Sequence, residues 1–310
     1  MNKKSKILFS IIIPTYNGEK TIRNFLKRLT QFNDNYKKEV IIIDSQSKDK
    51  TLNIVNNFKK KINLKVIRTK KEEFNHGLTR NLGVEKACGR YIWFLSQDAL
   101  PIISKKFLDY VLEDFKINER VVAVFGKHLA YKKTPFIQKL EVECYWEKLD
   151  SLLKKEKILI QDGKKLNQFQ KQQEIFIRLS NVNCFYKRSF LIKNKFIKVK
   201  TGEDMYMGKL ILEKNLIKIY DPRIKVYHSH FFNFKKYFQR EKETLELRFI
   251  NLKTKESPGL LCKIKKIIFL KTNVFLKIFY LFQLCFYYLL KIFIVIELKF
   301  AKSFKNENTS

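Results

Sequence analysis

The chain is poor in the residues that build fibrous, stapled or metal-clustered proteins. Its 310 residues include nine glycines and five prolines, too few for collagen-like or low-complexity segments. The five cysteines (Cys88, Cys144, Cys184, Cys262 and Cys285) form no CxxC pair and no ladder of spacings. Zinc and thioredoxin-like readings therefore fall away, and a reducing cytoplasm fits best. No GxxxxGK[ST] or GxGxxG occurs, so P-loop and dinucleotide readings lack their fingerprints. Acidic residues are scarce, 30 against 64 lysines and arginines, for a formal net charge of +34. Such an excess attracts nucleic acid, acidic lipid or a phosphorylated substrate. Yet the lysines are scattered, the aromatics lie in apolar runs, and no RNP-like, KH-like or zinc signature is present. Nucleic acid is not an expected partner.

What is present is a rhythm. The opening MNKKSKILFSIIIPTYNG sets lysines before apolar residues as a signal peptide does. Its apolar run is short, meets Pro14 and has no cleavage site after it, so a first buried strand is the better reading. Phe9–Ile13 and Val40–Ile43 are β-branched runs, and between them Ile22, Phe25, Leu26 and Leu29 keep helical spacing. Helices are expected over Thr51–Phe58, Leu78–Cys88 and Phe107–Phe115, and strands at Leu64–Ile67, Tyr91–Leu95 and Val121–Phe125. Alternating strand and helix implies a mostly parallel, doubly wound sheet. The rhythm fails between Gly126 and Asn181, where Leu140–Leu153 and Leu166–Phe176 look helical but polar. It returns with strands Asn181–Tyr186 and Ile217–Tyr220 flanking a helix over Met205–Lys214.

Polar clusters follow the predicted strands: Pro14-Thr15-Tyr16-Asn17, Asp44-Ser45-Gln46-Ser47, Gln97-Asp98-Ala99 and, later, Gly202-Glu203-Asp204. In a parallel sheet the first three share the carboxyl edge, where open α/β sheets bind ligands. Tyr16 with Asp44 and Ser45 could hold a base and ribose, and Asp98 a divalent metal that neutralises a diphosphate. The stretch from Glu73 to Pro101 leads into this edge through a polar loop, a short helix and the apolar run YIWFL, of which Trp93 reads as core.

IIIPTYNGEKTI, VIIIDSQSKDKT and GRYIWFLSQDALP together resemble the family 2 inverting glycosyltransferases of the GT-A fold. EEFNHGLTRN, SNVNCFYKRSF, GEDMYMGKLIL and VYHSHFFNFKKYFQR narrow the resemblance to bacterial rhamnosyltransferases of O-antigen and related polysaccharides. It covers about residues 9 to 240. The resemblance implies an α/β, Rossmann-like GT-A sheet with an acceptor-side insertion. It implies nucleotide-sugar contacts at Pro14, Thr15, Tyr16, Asp44, Ser45, Arg80 and Gln97, with Arg80 on the phosphates. Asp204 is the implied catalytic base, with Glu203 its orienting neighbour; the same pair would also suit a helix cap. Asp98 stands where the family's DxD metal motif ends. Here the motif reads Gln97-Asp98-Ala99, which implies a loosely held Mg²⁺ or Mn²⁺, with His230 favoured over His228 as the imidazole ligand. His76 reads as a loop organiser or sugar contact.

The implied donor is dTDP-rhamnose, with a UDP-hexose as the alternative, and the acceptor a glycan or lipid-linked glycan. QxxRW, the mark of processive synthases, is missing after Gln239-Arg240. A catalytically inactive membrane-associated scaffold is the competing class, and Asp98 with Asp204 argues against it. The reading divides the chain into a nucleotide-sugar half (1–125), an acceptor and catalytic-base half (126–250) and a basic helical tail (251–310). In the tail, eleven lysines face Glu256, Glu297 and Glu307, and Ile278–Ile296 is apolar apart from Gln283 and Lys291. Its length barely suffices to span a bilayer, while the lysine spacing suits snorkelling at a surface. The expected place is the cytoplasmic face of the inner membrane, with surface-lying helices preferred over a span or a packed hairpin.

Overall fold

The computed structural model describes residues 7–32, 34–153, 155–166, 173–247 and 260–307 (backbone alone at 173–174 and 299–307). The chain divides into two compact units, Met1–Leu129 with Lys148–His228, and Ala130–Glu147 with Ser229–Ser310.

The first unit is a mixed sheet wrapped by helices. In chain order it holds β1 (Phe9–Thr15), α1 (Glu19–Leu29), β2 (Lys38–Asp44), α2 (Thr51–Asn56), β3 (Leu64–Arg68), α3 (His76–Lys86) and β4 (Tyr91–Leu95). There follow β5 (Leu100–Pro101), α4 (Phe107–Lys116) and β6 (Val121–Leu129). Helix α5 (Phe136–Asp150) runs from the second unit into the first. Then come β7 (Leu159–Asp162), α6 (Gln173–Phe176), β8 (Asn183–Lys187), α7 (Arg188–Lys193), α8 (Glu203–Glu213) and β9 (Ile217–Tyr227). The predicted helix over 166–176 lies largely outside the described residues; α6 is its last turn.

The strand order is β3-β2-β1-β4-β8-β6-β9-β5, with β7 also on β9. The strands β3, β2, β1 and β4 are mutually parallel, as the βαβ rhythm requires. Strand β8 enters antiparallel to both β4 and β6, with Leu95 opposite Asn183. That reversal brings the segment before Asn183 to the same edge as the carboxyl ends of β1, β2 and β4. Every residue of YIWFL is buried, the expected state of a strand covered on both faces. Trp93 stacks on Phe185 with centroids 4.7 Å apart, and its indole N–H donates to Asn183 Oδ1 at 3.0 Å. The sandwich of aromatics fixes β8 against β4 and so sets where the β8 entry segment lies.

The second unit is helical among its described residues: most of α5, α9 (Phe234–Glu246), α10 (Leu260–Ile268) and α11 (Val274–Glu307). Ile137, Leu140, Ile267 and Leu284 form its small apolar core. Cys144 and Cys262, 118 residues apart, are joined in a disulfide that links α5 to α10. Cysteine spacing gave no hint of this pair, and a disulfide departs from the all-thiol state expected of a reducing compartment. Val274–Leu298 is long and apolar enough to cross a membrane by length and composition.

Candidate active site

The carboxyl edge of the parallel strands collects most of the candidate residues of the first unit. Thr15 pairs with Asp44, and Asp44 with Arg68, so the last residues of β1, β2 and β3 lie in one row. The loops after β1 and β2 are laced together. Ser45 N–H donates to Thr15 O at 2.9 Å, Asn17 N–H to Ser47 Oγ at 2.9 Å, and Gly18 N–H to Thr51 Oγ1 at 2.7 Å. Asn17 and Gln46 both adopt the left-handed conformation, φ 45° and 55°, which turns each chain sharply as it leaves its strand.

Asp44 is fully buried. Its Oδ2 accepts Ser47 N–H at 3.1 Å, while its Oδ1 has no partner among the described residues. An orphaned buried carboxylate oxygen is costly unless a ligand donor meets it. Gln97 clasps the backbone of Tyr16 from both sides, its Oε1 accepting the Tyr16 N–H at 3.1 Å and its Nε2 donating to Tyr16 O at 3.0 Å. It therefore fixes the β1 loop, a role the residue type alone did not reveal. Lys71, absent from the sequence candidates, holds its ammonium 5.1 Å from the centre of the Tyr16 ring. Pro14 and Thr15 close β1 itself.

Past β4, Asp98 brings Oδ1 to 3.6 Å from His228 Nε2. A hard carboxylate oxygen beside an imidazole suits Mg²⁺ or Mn²⁺ completed by water and phosphate oxygens. The His228 ring in turn lies edge-on to His128, centroids 5.4 Å apart. His230 is two residues further along the chain, in the second unit.

Asp204 stands at the start of α8, after Gly202, whose φ of 80° favours glycine. Its Oδ1 accepts the Met205 N–H at 2.8 Å and its Oδ2 the Asn181 N–H at 3.4 Å. Burial, and then the neighbouring Glu203 carboxylate, push its pKa up to about 7. Arg80 and Asn181's amide act against that rise without cancelling it. A carboxylate half-ionised near neutrality is matched to proton abstraction.

The loop EFNHGLTRN holds this segment in place. Arg80, on α3, forms a buried ion pair with Glu203 and also donates to His76 O at 3.2 Å. Asn75 caps α3, accepting from Gly77 N–H and Leu78 N–H, and donates to Val199 O at 2.7 Å. Asn81 bridges both backbone groups of Phe196 at 2.9 Å. Arg80 is thus engaged with Glu203, whose charge still acts on Asp204. The resemblance implied a phosphate contact for Arg80; the Glu203 partner, 123 residues along the chain, was not visible in the sequence.

Asn181 also escaped it. Its Oδ1 accepts the Tyr186 hydroxyl at 2.8 Å, so a buried tyrosine of β8 fixes the residue whose backbone touches Asp204. The only sequence signal was a polar pair, Asn181 and Asn183, spaced to one face of a strand start.

Comparisons with known proteins agree on this architecture. The profile described as "Glycosyl transferase family 2" matches residues 10–193. O-antigen chain rhamnosyltransferase RfbN of Salmonella typhimurium is 30% identical over 241 residues, 76% of this chain and 70% of that protein. O-antigen chain rhamnosyltransferase WbaN of Salmonella anatum is 28% identical over the same shares of the two chains. Among solved structures, Staphylococcus aureus TarS 1–349 in complex with UDP-GlcNAc superposes with a TM-score of 0.53 at 19% identity, covering 87% of this chain and 69% of that one. The mannosyltransferase PcManGT of Pyrobaculum calidifontis, in complex with GDP-Man and Mn²⁺, gives 0.56 at 15% identity, covering 82% and 67%. These two share the fold.

Proposed function

The chain belongs to glycosyl transferase family 2, and on that premise we propose that it transfers L-rhamnose from dTDP-rhamnose, with inversion, to a glycan or lipid-linked acceptor in surface-polysaccharide synthesis. The observation that carries the reaction is Asp204, a buried carboxylate whose pKa is pushed up to about 7 beside the ligand-binding edge of the sheet. The two rhamnosyltransferase relatives support the donor.

In the proposed reaction Asp204 takes the proton of the acceptor hydroxyl as that oxygen bonds to the anomeric carbon. The bond from carbon to the diphosphate oxygen breaks, and its electron pair leaves with the nucleoside diphosphate. Attack opposite the leaving group inverts the configuration, with no covalent enzyme intermediate. Arg80 acts in this scheme by pairing with Glu203 and by opposing, through its own positive charge, the rise in the Asp204 pKa, so that Asp204 ionises near neutrality. Asp44 Oδ1 accepts the imide N–H of the base, a contact that thymine and uracil both offer; Ser45, Thr15 and Pro14 complete that wall, with Tyr16 kept in place by Gln97. Asp98 with His228, or with His230 two residues on, would hold Mg²⁺ or Mn²⁺. A bound cation supplies charge neutralisation to the departing diphosphate.

Residues 1–125 serve the donor and 126–250 the acceptor and the base, while the tail keeps the enzyme at the cytoplasmic face of the inner membrane, where lipid-linked acceptors lie. Thermal protection of the full chain by dTDP-rhamnose, UDP-glucose and UDP-galactose, each with Mn²⁺, tests the donor. Protection by dTDP-rhamnose above the other two is the expected result. Protection by a UDP-hexose alone replaces the donor, and protection by none sinks the reading.

A further inference from the structure

We propose that α11 lies in the plane of an anionic membrane surface, its phenylalanine-rich face sunk to the acyl boundary, and does not cross the bilayer. This rests on the membrane location proposed above and specifies its geometry.

The helix has two opposed sides. At about 100° per residue, Phe275, Ile278, Phe282, Phe286, Leu289 and Phe293 fall within roughly 80° of arc. They are between 48% and 84% exposed. On the other side Leu284 and Ile294 are buried, and Tyr280 stacks on Phe136 with centroids 4.1 Å apart.

The inner side also carries charge. Lys291, inside the apolar window Val274–Leu298, pairs with Glu241 of α9 at 2.8 Å and Glu141 of α5 at 3.4 Å. Glu141 further accepts the Tyr237 hydroxyl at 2.7 Å and pairs with Lys263 of α10 at 3.3 Å. A crossing helix would either strip Lys291 of both carboxylates or draw α9 into hydrocarbon. Helix α9 brings Lys235, Lys236, Arg240, Lys242 and three glutamates with it. Each unpaired lysine at mid-bilayer lowers insertion roughly a hundredfold. An in-plane helix keeps the whole network on the water side and still buries the phenylalanines.

Charge chooses the occupant of the apolar face. Lys265 of α10 and Lys271, three residues before α11, are exposed, and the chain as a whole carries +34. A second copy would set like charge against like, whereas an anionic bilayer complements it.

The test uses the full chain with phosphatidylcholine vesicles, with and without phosphatidylglycerol. Co-sedimentation is expected with the anionic vesicles. The double variant Phe275→Glu/Phe282→Glu should lower partitioning roughly a hundredfold, with the circular dichroism spectrum and donor protection unchanged. Spin labels at Phe275→Cys, Phe282→Cys and Leu289→Cys, with Cys88 and Cys285 replaced by serine, should report one shallow depth. A profile deepest at the middle label and shallow at the outer two overturns the in-plane geometry and leaves membrane association standing. Failure to bind either vesicle overturns both. A vesicle-free dimer that the double variant dissolves assigns the face to a second copy and overturns the proposal. Donor protection is read separately, so loss of the catalytic reading would show there and not in the vesicle assay.

Discussion

Replacing Asp204 by asparagine should abolish transfer and at the same time stabilise the protein above neutral pH. The native carboxyl has its pKa raised from 3.8 to about 7, so the folded state binds the proton more tightly than the unfolded chain. Stability therefore falls as pH rises from about 4 to about 7 and levels off beyond. At pH 8 the ionised native group costs about 4 kcal/mol relative to the unfolded chain. The neutral amide of the Asp204→Asn variant would escape this charge term. Its Oδ1 can keep the Met205 N–H bond, but its NH₂ would face the Asn181 N–H, a loss of about 1 kcal/mol. The net gain is about 3 kcal/mol at pH 8, shrinking to nothing near pH 4, or roughly 5–10 °C in Tm at the alkaline end. Calorimetric or fluorescence melts at pH 5 and pH 8, beside a transfer assay, measure all of this. An active variant, or one that gains no more stability over the native chain at pH 8 than at pH 5, would refute the assignment of Asp204 as a buried, strained base. In the unaltered enzyme the same value predicts that kcat/KM climbs through about pH 7 and then flattens, because only the ionised form accepts the proton.

The Glu203→Gln change leaves the Arg80 guanidinium buried without its counter-ion and should cost about 3–5 kcal/mol in urea denaturation; it also removes the like charge that raises Asp204, so the acidic limb of the pH–rate profile should move to lower pH. Gln97→Ala deletes both bonds to the Tyr16 backbone, and is expected to raise the donor KM about tenfold with kcat nearly unchanged, equivalent to about 1.4 kcal/mol; an unaltered KM would show that the clasp does not order the donor loop. Under denaturing, non-reducing conditions three thiols should react with a disulfide reagent, those of Cys88, Cys184 and Cys285, and five after reduction. Reduction should lower stability by at most about 5 kcal/mol, the loop-closure value for a separation of this length.

How much of this was legible in advance differs element by element. The run YIWFL and the β-branched runs before Pro14 and Asp44 announced their strands, because burial on both faces demands an unbroken apolar stretch of strand length. The polar residues after each run announced a shared polar edge, because parallel strands put those ends together whatever the loops between them do. Helix α1 was equally plain from Ile22, Phe25, Leu26 and Leu29, all buried as its spacing required. Strands β5 and β7 were not legible: two and four residues give no periodicity, and both exist only because β9 supplies a partner.

The sequence by itself determined the succession of the main strands and helices, the family, and the chemical identity of the groups at the strand ends. These follow from local periodicity and short motifs, which need no knowledge of what lies across the fold. Tertiary structure decided what those groups do to one another. It set Arg80 on Glu203, Gln97 on the Tyr16 backbone, Asn181 against Asp204 and Cys144 on Cys262, through contacts spanning 23 to 123 residues of chain. It also raised the proton affinity of Asp204, since desolvation is a property of the surrounding packing and not of the residue.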